Sequence, residues 1–483
     1  MENAPNQTGL RHQKRRSGPV ERGGGARGRR QLDSVARPAG AAREELWRPG
    51  SPAFGTGGAP SWRTLASVTA PSPNPSLPLR TKLAATVSRG VGALSRATGR
   101  GDGSVIGGRI GLMIDPHLLA NLAAGRRIAL VSGTNGKTTT TRLTAATIGV
   151  LGKVATNSFG ANLPTGHTSA LAKAGHTPYA VLEVDEHYLP QVLAATRPEV
   201  VALLNLSRDQ LDRAKEVAMM AQLWRDALAA HPTVHVVANA DDPMVAWAAY
   251  RCPHVTWVGA RQRWHDDSWV CPECGAHLER SGDSDWRCSG CALRRPQPQW
   301  TLKDGHVVDP SGVAHAVTLQ LPGSINLANA AIALAVGAAF GVPVVDALPR
   351  LAQVKSVAGR YATVVRGDHT IRLLLAKNPA GWLEAFDMAE DAPTLLAINA
   401  RDPDGLDTSW LFDVDFSPLR GRHVLITGDR AYDLAVRLEV NDVPFRHVRR
   451  FRDALAAVPP GRLEVIANYT AFQDIRAELD RVN

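Results

Sequence analysis

The sequence predicts an α/β protein with two successive domains, each built around a mostly parallel β-sheet, and a four-cysteine insertion in the first. Three observations support this fold class. Apolar strand-like runs alternate with helical segments along most of the chain, as is typical of parallel sheets covered by helices. The first of these strands leads into a glycine loop and a helix. The alternation breaks at about residues 268–296, where four of the five cysteines lie.

Residues 1–76 are predicted to form a disordered basic tail. The segment is rich in Gly, Pro, Ser and Arg and poor in large apolar residues, so it buries too little surface to offset the entropy cost of ordering. Residues 1–80 carry 12 Arg and one Lys against four Glu and one Asp, so +8 of the net charge of +10 lies there. The folded part is therefore not strongly basic. Two interpretations of the tail stay open: an arm for anionic lipid surfaces, or an artefact of an upstream start codon.

No stretch of the sequence predicts secretion or a membrane span. The start is polar and lacks the apolar core of a signal peptide. The longest apolar run, "NAAIALAVGAAFGVPVV", is Ala-rich and shorter than the roughly 18 residues of a membrane helix. It predicts a buried helix, and we expect a cytoplasmic protein.

Residues 77–355 are predicted to form the central domain. A helix is expected at "LRTKLAATVSRGVGALSRA", followed by a Gly-rich segment and the buried strand "RRIALV". Further strands are expected at "YAVLEVDE", "EVVALLNLS", "VHVVANADDP" and "HVTWVG", and a long helix at "DQLDRAKEVAMMAQLWRDALAA". "AVTLQLPGSINLANAAIALAVGAAFG" predicts a strand, a turn and a helix.

Residues 356–483 are predicted to form a separate, Rossmann-like C-terminal domain. Its strands are expected at "TIRLLLAK", "TLLAINA", "HVLITG" and "LEVIANY", with helices between them. Because ligands of doubly wound sheets gather at the carboxyl ends of strands, Lys377 and Asn378 are candidates to face a site shared with the central domain. The alternative for Lys377 is a surface lysine before a turn.

The glycine loop "VSGTNGKTTT" predicts a site for a nucleotide triphosphate. It lacks the first glycine of the usual G-x-x-x-x-G-K-[ST] pattern, because Val131 stands there. Its strand-loop-helix context still places backbone N–H groups and a helix dipole at one point. The alternative is a glycine turn with a solvated lysine. The predicted phosphate-binding residues are Gly133, Thr134, Asn135, Gly136, Lys137, Thr138 and Thr139.

The four cysteines predict a structural zinc site. Cys271, Cys274, Cys288 and Cys291 follow the pattern C-x₂-C-x₁₃-C-x₂-C, which approximates a zinc ribbon. Four thiolate ligands leave no open position on the metal, so the site would be structural. The alternative is two unmetallated thiol pairs. Cys252 is expected to be a core thiol.

Several motifs, taken in order, resemble the Mur ligase family, whose members use Mg·ATP to build peptidoglycan stem peptides. The loop "GTNGKTTT" resembles the family's ATP loop, and "LEVDE" its metal-binding strand, which implies that Glu183 and Thr138 hold magnesium. The segments "NADDP", "PGSINLANAAIALA" and "AGRY" resemble further nucleotide-binding motifs of the family. They imply roles for Asn239, Asp242, Asn326, Asn329 and Arg360.

Two departures from the family pattern favour one branch of it. Gln210 stands where many members have a metal-binding histidine, and Ile325 stands where they have the histidine before the helix asparagine. These features, with "NLSRDQLDR", "LLLAKNPAGW", "DGLDTSWLFDVDF", "TGDRAYDLAVRL" and "NYTAF", resemble the branch that amidates lipid II. The resemblance covers roughly residues 77–483.

That resemblance implies an enzyme, a carbon–nitrogen ligase that takes its nitrogen from glutamine. Its substrate would be the α-carboxyl of D-glutamate in the stem peptide of lipid II, met at the inner face of the membrane. ATP, Mg²⁺ and a structural Zn²⁺ are the implied cofactors. The implied partner is a class I glutamine amidotransferase subunit in a heterodimer, and no nucleic acid is expected. The chain offers no convincing cysteine nucleophile of its own.

The acidic segment "INARDPDGLDTSWLFDVDF" is the candidate contact with that partner. The resemblance implies that one aspartate there orients the partner's catalytic histidine, as a Cys–His pair requires. Asp407 is the first choice, then Asp404 and Asp413. Alone, the segment would be taken for a solvated acidic loop.

Two other functions stay open at this point. One is a Mur-type ligase that adds an amino acid without a partner. The other is a zinc-ribbon ATPase that acts on nucleic acid, which would bind in a salt-sensitive manner.

Overall fold

The structure is a computed structural model that describes residues 77–98, 103–157, 160–208, 216–282, 284–354 and 361–481. The predictions for the tail at 1–76, for Gln210 and for Arg360 lie outside these residues.

The described residues contain 14 α-helices and 17 β-strands. The helices are α1 (Leu79–Ala97), α2 (Ser104–Ile114), α3 (Leu118–Ala123), α4 (Lys137–Ile148), α5 (Pro164–Ala174), α6 (Leu189–Thr196), α7 (Val217–Ala229), α8 (Pro243–Ala249), α9 (Ser324–Ala339), α10 (Val344–Leu351), α11 (Pro379–Met388), α12 (Ala431–Val440), α13 (Phe451–Ala457) and α14 (Tyr469–Asp480). The strands are β1 (Arg127–Ser132), β2 (Val154–Thr156), β3 (Tyr179–Glu183), β4 (Val200–Leu203), β5 (His235–Asn239), β6 (Val255–Val258), β7 (Leu278–Ser281), β8 (Asp285–Cys288), β9 (Thr301–Lys303), β10 (His306–Val308), β11 (Ala314–Ala316), β12 (Tyr361–Arg366), β13 (His369–Leu375), β14 (Thr394–Ala397), β15 (Val424–Thr427), β16 (Phe445–His447) and β17 (Gly461–Ala467).

The first sheet is parallel throughout, in the order β2-β3-β1-β4-β5-β6. Strands β1, β3, β4 and β5 are almost entirely buried, as expected when helices cover both faces of a parallel sheet. The Ala-rich run predicted as a buried helix is α9, which packs against α4 on one face. The predicted parallel α/β architecture is therefore confirmed for this part of the chain.

Some elements were not anticipated. The Gly-rich stretch after α1 forms the helix α2, because its glycines face neighbouring backbone. The strands β9, β10 and β11 form a small antiparallel sheet. The strand predicted at "AVTLQ" is reduced to the end of β11, at Ala316.

The second sheet has the order β12-β13-β17-β14-β15-β16, and only its edge strand β12 runs antiparallel to its neighbour. This order differs from the 3-2-1-4-5-6 order of a Rossmann sheet. The Rossmann-like prediction therefore holds only as far as a parallel α/β sheet. On one face, Trp382 of α11 contacts the rings of Phe386, Trp410 and Phe416 at centroid distances of 5.8 to 6.2 Å, which fixes α11 against the sheet.

Polar contacts join the two sheet-bearing regions. Asp387 of α11 pairs with Arg263 at 2.9 Å and accepts a hydrogen bond from Ser324, at the start of α9, at 2.9 Å. Arg208, after β4, pairs with Asp413 at 3.2 Å. The contacts of Asp387 hold the C-terminal end of α11 next to the start of α9.

None of the helices within the described ranges is long and apolar enough to cross a bilayer.

Candidate functional site

The glycine loop connects β1 to α4 through two residues with backbone that favours glycine. Gly133 has φ 148° and Gly136 has φ 83°. A Cβ on Gly133 would lie 2.7 Å from Cβ of Leu204, and one on Gly136 would lie 2.9 Å from Oδ1 of Asn329. Both positions therefore require glycine, and no third glycine is needed to close the turn.

Lys137 is buried at the start of α4 and turns back over the loop. Its Nζ donates to the carbonyl oxygens of Gly133 at 2.6 Å and Thr134 at 3.3 Å, and it pairs with Glu186 at 2.9 Å. A phosphate bound in the loop would replace these acceptors. The bonds from Lys137 to phosphate oxygens would be stronger than its bonds to the two backbone carbonyls, because both partners are then charged. Glu186 was not among the predicted site residues, although it belongs to the quoted motif "LEVDE".

The loop is held from the side by the segment after β4. Asn205 accepts a hydrogen bond from the Asn135 N–H at 2.9 Å and donates to the Asn135 carbonyl at 3.1 Å. The Asn205 carbonyl accepts from the Thr134 N–H at 2.9 Å. The sequence did not single out Asn205. A polar residue directly after a buried strand is the signal that could have found it.

Glu183 ends β3 and lies beside the loop strand, since the sheet register pairs it with Val131 of β1. It is buried, and one of its carboxylate oxygens has no hydrogen-bond partner among the described residues. Its backbone is fixed by Asn157, which exchanges hydrogen bonds of 2.8 and 2.9 Å with it, and by His167 at 2.6 Å. Burial lowers the pKa of His167 to about 4, so this imidazole stays neutral.

An unsatisfied buried carboxylate fits a hard cation. Mg²⁺ prefers oxygen ligands, usually one or two carboxylates together with phosphates. Glu183 supplies such an oxygen, and Thr138 in the first turn of α4 carries a hydroxyl. The donor set therefore matches the predicted magnesium site, and a buried charge without a partner would otherwise be costly.

A cleft opens from the loop toward the second sheet. Residues of the loop, of the strand ends of β4 and β5, of α9 and of α11 line it together. The polar ones are Asn135, Asn205, Ser207, Asn239, Gln262, Arg263, Asn329 and Glu384, and the apolar ones include Leu204, Trp264, Ile325, Ile332 and Ala380. This mixture, with an apolar floor and a few convergent polar groups, is typical of a small-molecule site.

Of the other predicted nucleotide residues, Asn239 and Asn329 line this cleft, and Asn326 and Asp242 contact residues that line it. Asn239 lines it and donates to Gln262 at 2.7 Å. Asn326 lies behind the wall and accepts a hydrogen bond from Asn329 at 3.2 Å. Asp242 caps α8 through the N–H groups of Met244 and Val245 and also accepts the Leu206 N–H. Asp242 therefore holds the start of α8 next to the segment that follows β4.

Glu384 is the residue that α11 contributes to the cleft wall, and the sequence did not predict it. One of its carboxyl oxygens is buried and has no hydrogen-bond partner in the part of the chain that the structure describes. Burial raises the pKa of Glu384 to about 7, although the guanidinium of Arg263 opposes the rise. The carboxyl group is therefore poised to be half-protonated near neutral pH.

We expect this pKa to appear in the pH dependence of stability. A carboxyl whose folded pKa is raised binds its proton more tightly in the folded state, so its contribution to stability falls as pH rises from 4.5 to about 7. The Glu384→Gln variant should therefore gain thermal stability relative to the parent chain above that window and gain little below it. Unfolding midpoints measured across the pH range test this, with the exposed Glu439→Gln as control. A pH-independent difference would contradict the assignment.

The four cysteines come together on the antiparallel hairpin of β7 and β8. All four Sγ atoms lie within 4.8 Å of one another, with Cys271 to Cys291 at 3.7 Å and Cys274 to Cys288 at 3.4 Å. Four sulfurs around zinc at 2.3 Å would be about 3.8 Å apart. The Gly290 N–H also donates to the Cys288 sulfur at 3.3 Å. The cluster therefore fits a tetrahedral ion.

The cysteine hairpin, residues 268–296, is fastened to the edge of the nucleotide cleft. The ring N–H of the buried Trp286 donates to the Ala240 carbonyl at 3.0 Å. Arg295 pairs with the fully buried Asp241 at 2.7 Å. Both contacts fall on the "NADDP" segment directly after Asn239, so the hairpin supports that segment from outside.

The three candidate aspartates of the acidic segment differ in the contacts that their carboxylates make. Asp404 is engaged, because it accepts the Thr470 N–H at 2.9 Å and the Arg401 N–H at 3.2 Å. Asp413 pairs with Arg208. Asp407 is exposed, and the Ser409 N–H, which donates to it at 2.8 Å, lowers its pKa. Asp407 and Asp413 are both exposed, but Asp413 is held by Arg208.

Lys377 follows β13 directly and lies next to the start of α11. Its neighbour Asn378 caps that helix by accepting the Gly381 N–H at 2.9 Å. A Cβ on Gly381 would approach Oδ1 of Asn135 to 3.9 Å. The helix start therefore lies against the glycine loop. Lys377 directly precedes the helix cap Asn378, and its role at a shared site stays a prediction.

Two domain families match the chain. Residues 131–337 match the Mur ligase middle domain, and residues 375–472 match the MurT ligase C-terminal domain. The lipid II isoglutaminyl synthase (glutamine-hydrolysing) subunit MurT of Streptococcus pneumoniae is 30% identical over 416 residues, which cover 78% of this chain and 92% of that protein. The chain belongs to the Mur ligase family, in its MurT branch.

Other comparisons agree with the MurT branch. The protein of the same name from Staphylococcus aureus is 28% identical over 417 residues, which cover 80% of this chain and 95% of that one. A solved pseudomurein peptide ligase type C from Methanothermus fervidus superposes with a TM-score of 0.59 at 16% identity, covering 74% of this chain and 79% of that one. At that identity the superposition shows the shared fold alone. As a member of the MurT branch, the chain is a ligase.

Proposed function

We propose that the chain catalyses ATP-dependent amidation of the α-carboxyl of D-glutamate in lipid II, giving D-isoglutamine. The carboxylate attacks the γ-phosphorus of ATP, so that the bond from that phosphorus to ADP breaks, ADP leaves and an acyl phosphate forms. Ammonia then attacks the carbonyl carbon, so that a C–N bond forms and the C–O bond to phosphate breaks. The departing phosphate takes up the proton that the nitrogen loses. The ammonia comes from a separate glutaminase subunit.

The observation that carries this proposal is the cleft between the glycine loop and α11. It joins the glycine turn, the buried carboxyl group of Glu384 with its unpartnered oxygen, and the region that matches the MurT C-terminal domain. The names of the two relatives state both lipid II and the hydrolysis of glutamine. The cleft supplies the positioning that phosphoryl transfer needs, because such catalysis rests mainly on placement and charge neutralisation.

Each role falls to a residue already described. The loop N–H groups and Lys137 would hold the β and γ oxygens, with Lys137 leaving Glu186 to do so. Glu183 and Thr138 would hold Mg²⁺, which neutralises phosphate charge when bound. Asn239 and Asn329 would contact the rest of the nucleotide, and Asn326 and Asp242 would support them. Lys377 would reach the acyl phosphate from the other side. A Zn²⁺ in the cysteine cluster would stabilise the hairpin beside the site.

The decisive experiment combines the chain, its glutaminase partner, lipid II, Mg·ATP and glutamine, with mass spectrometry of the product. The expected product shows the small mass decrease of a carboxyl-to-amide exchange. A reaction with ammonium salt in place of glutamine and partner should give the same product. Product formed only with a free amino acid would instead identify an amino-acid ligase and refute the proposal.

We propose further that Asp407 orients the partner's catalytic histidine when the proposed partner docks. The Asp407→Asn variant should then lose about 100- to 10,000-fold of glutamine-dependent turnover, the range typical of general acid–base catalysis. Nucleotide binding and ammonium-dependent amidation should be unchanged, because Asp407 lies outside the nucleotide cleft. Parallel assays with glutamine and with ammonium measure the two activities.

Asp415 offers a matched control for this variant. It is exposed and accepts the Ser417 N–H at 2.9 Å, much as Asp407 accepts that of Ser409. The Asp415→Asn variant should keep both activities. Equal losses of the two activities in Asp407→Asn would show that the residue acts on the amidation site or on folding and does not orient the partner.

A further inference from the structure

Helix α2 packs with its small residues inward and its large apolar residues outward. Gly107 and Gly111 are buried where added Cβ atoms would lie 2.6 Å from the Ser88 carbonyl oxygen of α1 and 2.7 Å from Leu118. Gly108 packs in the same way against α5. The opposite face carries Val105, Ile106 and Met113, between 50% and 71% exposed. An amphipathic helix of a globular domain normally has the reverse arrangement.

Helix α1, which packs against α2, also exposes apolar residues. Leu79, Leu83 and Leu94 are between 59% and 84% exposed and follow helical spacing along one stripe. Its buried face is formed instead by small residues such as Ala84, Ser88 and Gly92. The α1–α2 hairpin, residues 79–114, therefore presents large aliphatic side chains on both helices to its surroundings. Contiguous exposure of this kind marks an interaction surface.

The charges of the two helices have one sign, and the segment between them adds one basic and one acidic residue, Arg100 and Asp102. The two helices contain no Asp or Glu, and their charged residues are all exposed and basic. These are Arg80, Lys82, Arg89, Arg96 and Arg109. A groove beside α1 is lined by Lys82, Arg89 and Arg126 and by no acidic side chain. The surface thus combines aliphatic residues with a positive field.

We propose that the α1–α2 hairpin docks on an anionic lipid bilayer, with its aliphatic residues at the acyl boundary and its basic residues at the headgroups. Leucine, isoleucine and methionine flanked by Lys and Arg form the pattern of helices that lie in a membrane interface. Each basic residue near an anionic surface adds attraction. The hairpin lies on the bilayer and does not cross it.

The same observations disfavour other occupants. Protein interfaces are enriched in aromatic residues, whereas neither helix contains an aromatic residue. The chain's own residues 1–76 are strongly basic and would be repelled by the positive hairpin. An anionic bilayer complements both the apolar and the charged parts of this surface.

The inference deepens the proposed function, because it assigns the surface by which the ligase would reach a lipid-linked substrate. Its test does not depend on catalysis. The full chain is sedimented with vesicles of phosphatidylcholine containing phosphatidylglycerol, and with vesicles of phosphatidylcholine alone. Binding is expected to the first kind and should weaken as salt is raised. Amide hydrogen exchange then identifies the docked residues, with protection expected at 79–114.

Variants separate the hairpin from the rest of the chain. Replacing Leu83, Leu94, Ile106 and Met113 together with Gln should weaken vesicle binding at least about tenfold. The double variant Lys82→Glu and Arg109→Glu should weaken it by a similar factor. A matched control replaces four apolar residues exposed elsewhere, and its binding should be unchanged. The control positions are Met219, Val313, Val345 and Val365.

Three outcomes would overturn the proposal. The first is that the parent chain fails to bind anionic vesicles. The second is that the four-residue Gln variant binds them as the parent does. Protection of 79–114 by the glutaminase subunit, but not by vesicles, would assign the surface to a protein. Amidation of a water-soluble stem peptide in any of these cases would leave the proposed function standing. Vesicle binding without amidation of any substrate would support the docking proposal and refute the proposed function.

Discussion

The Glu183→Gln variant is expected to lose about 100- to 1,000-fold of its ATP-dependent turnover, as is typical when one charge-stabilising group is removed from an active site. Glutamine has the shape of glutamate but lacks the charge that a magnesium ion requires. Because the buried oxygen of Glu183 has no partner in the described residues, the change should leave folding intact. Steady-state kinetics at several Mg²⁺ concentrations, together with thermal unfolding, measure the two effects.

Glu186→Gln is the control for this variant. Glu186 pairs with Lys137 in the nucleotide-free chain and competes with phosphate for it. Removing that charge should leave turnover largely intact and strengthen nucleotide binding, which calorimetry can measure. If Glu183→Gln kept full activity while Glu186→Gln lost it, the metal would belong to Glu186 and our assignment would be wrong.

Removal of the metal from the cysteine cluster is expected to destabilise the cleft as well as the cysteine hairpin. Loss of a structural metal ranks with the largest single-site effects, so Cys288→Ser should lower the free energy of unfolding by about 4 kcal/mol or more. Because Trp286 and Arg295 hold Ala240 and Asp241, nucleotide affinity should fall with it. Zinc content, unfolding and ATP affinity are measured on the same preparation.

Two further variants separate the metal from the contacts it supports. Cys252→Ser should change neither zinc content nor ATP affinity, since Cys252 lies outside the cluster. Trp286→Phe keeps the zinc ligands but removes the hydrogen bond to Ala240, so it should weaken ATP binding without releasing zinc. An untouched ATP affinity after complete zinc removal would show that the hairpin does not support the cleft.

Much of the site was predictable from residues that lie close together in the sequence. The glycine loop was recognisable because its strand, turn and helix are adjacent in the chain, and the residues of "SGTNGKT" do form that turn. The cysteines were recognisable from their spacing. The parallel sheet followed from apolar runs that must be buried on both faces. These features depend on residues that are close in sequence.

The partners of those residues were less visible. Asn205 stabilises the loop from another strand, and Glu186 meets Lys137 across the sheet edge. Glu384 reaches the cleft from α11, well over a hundred residues away in the chain. No periodicity or spacing relates such residues, since only the packing of the two sheet-bearing regions brings them together.

By itself, the sequence determined a phosphate loop with two essential glycines, a four-thiol cluster, a parallel α/β core and a resemblance to the Mur ligases. Only the tertiary structure shows which carboxyl oxygens lack a partner among the described residues, which aspartates are held by hydrogen bonds or ion pairs, and which way α2 turns its glycines. The physical reason is that burial and pairing are properties of surfaces that meet. The sequence names a charged or apolar residue in the same way whether a neighbour covers its side chain or leaves it facing a substrate, a metal or a membrane.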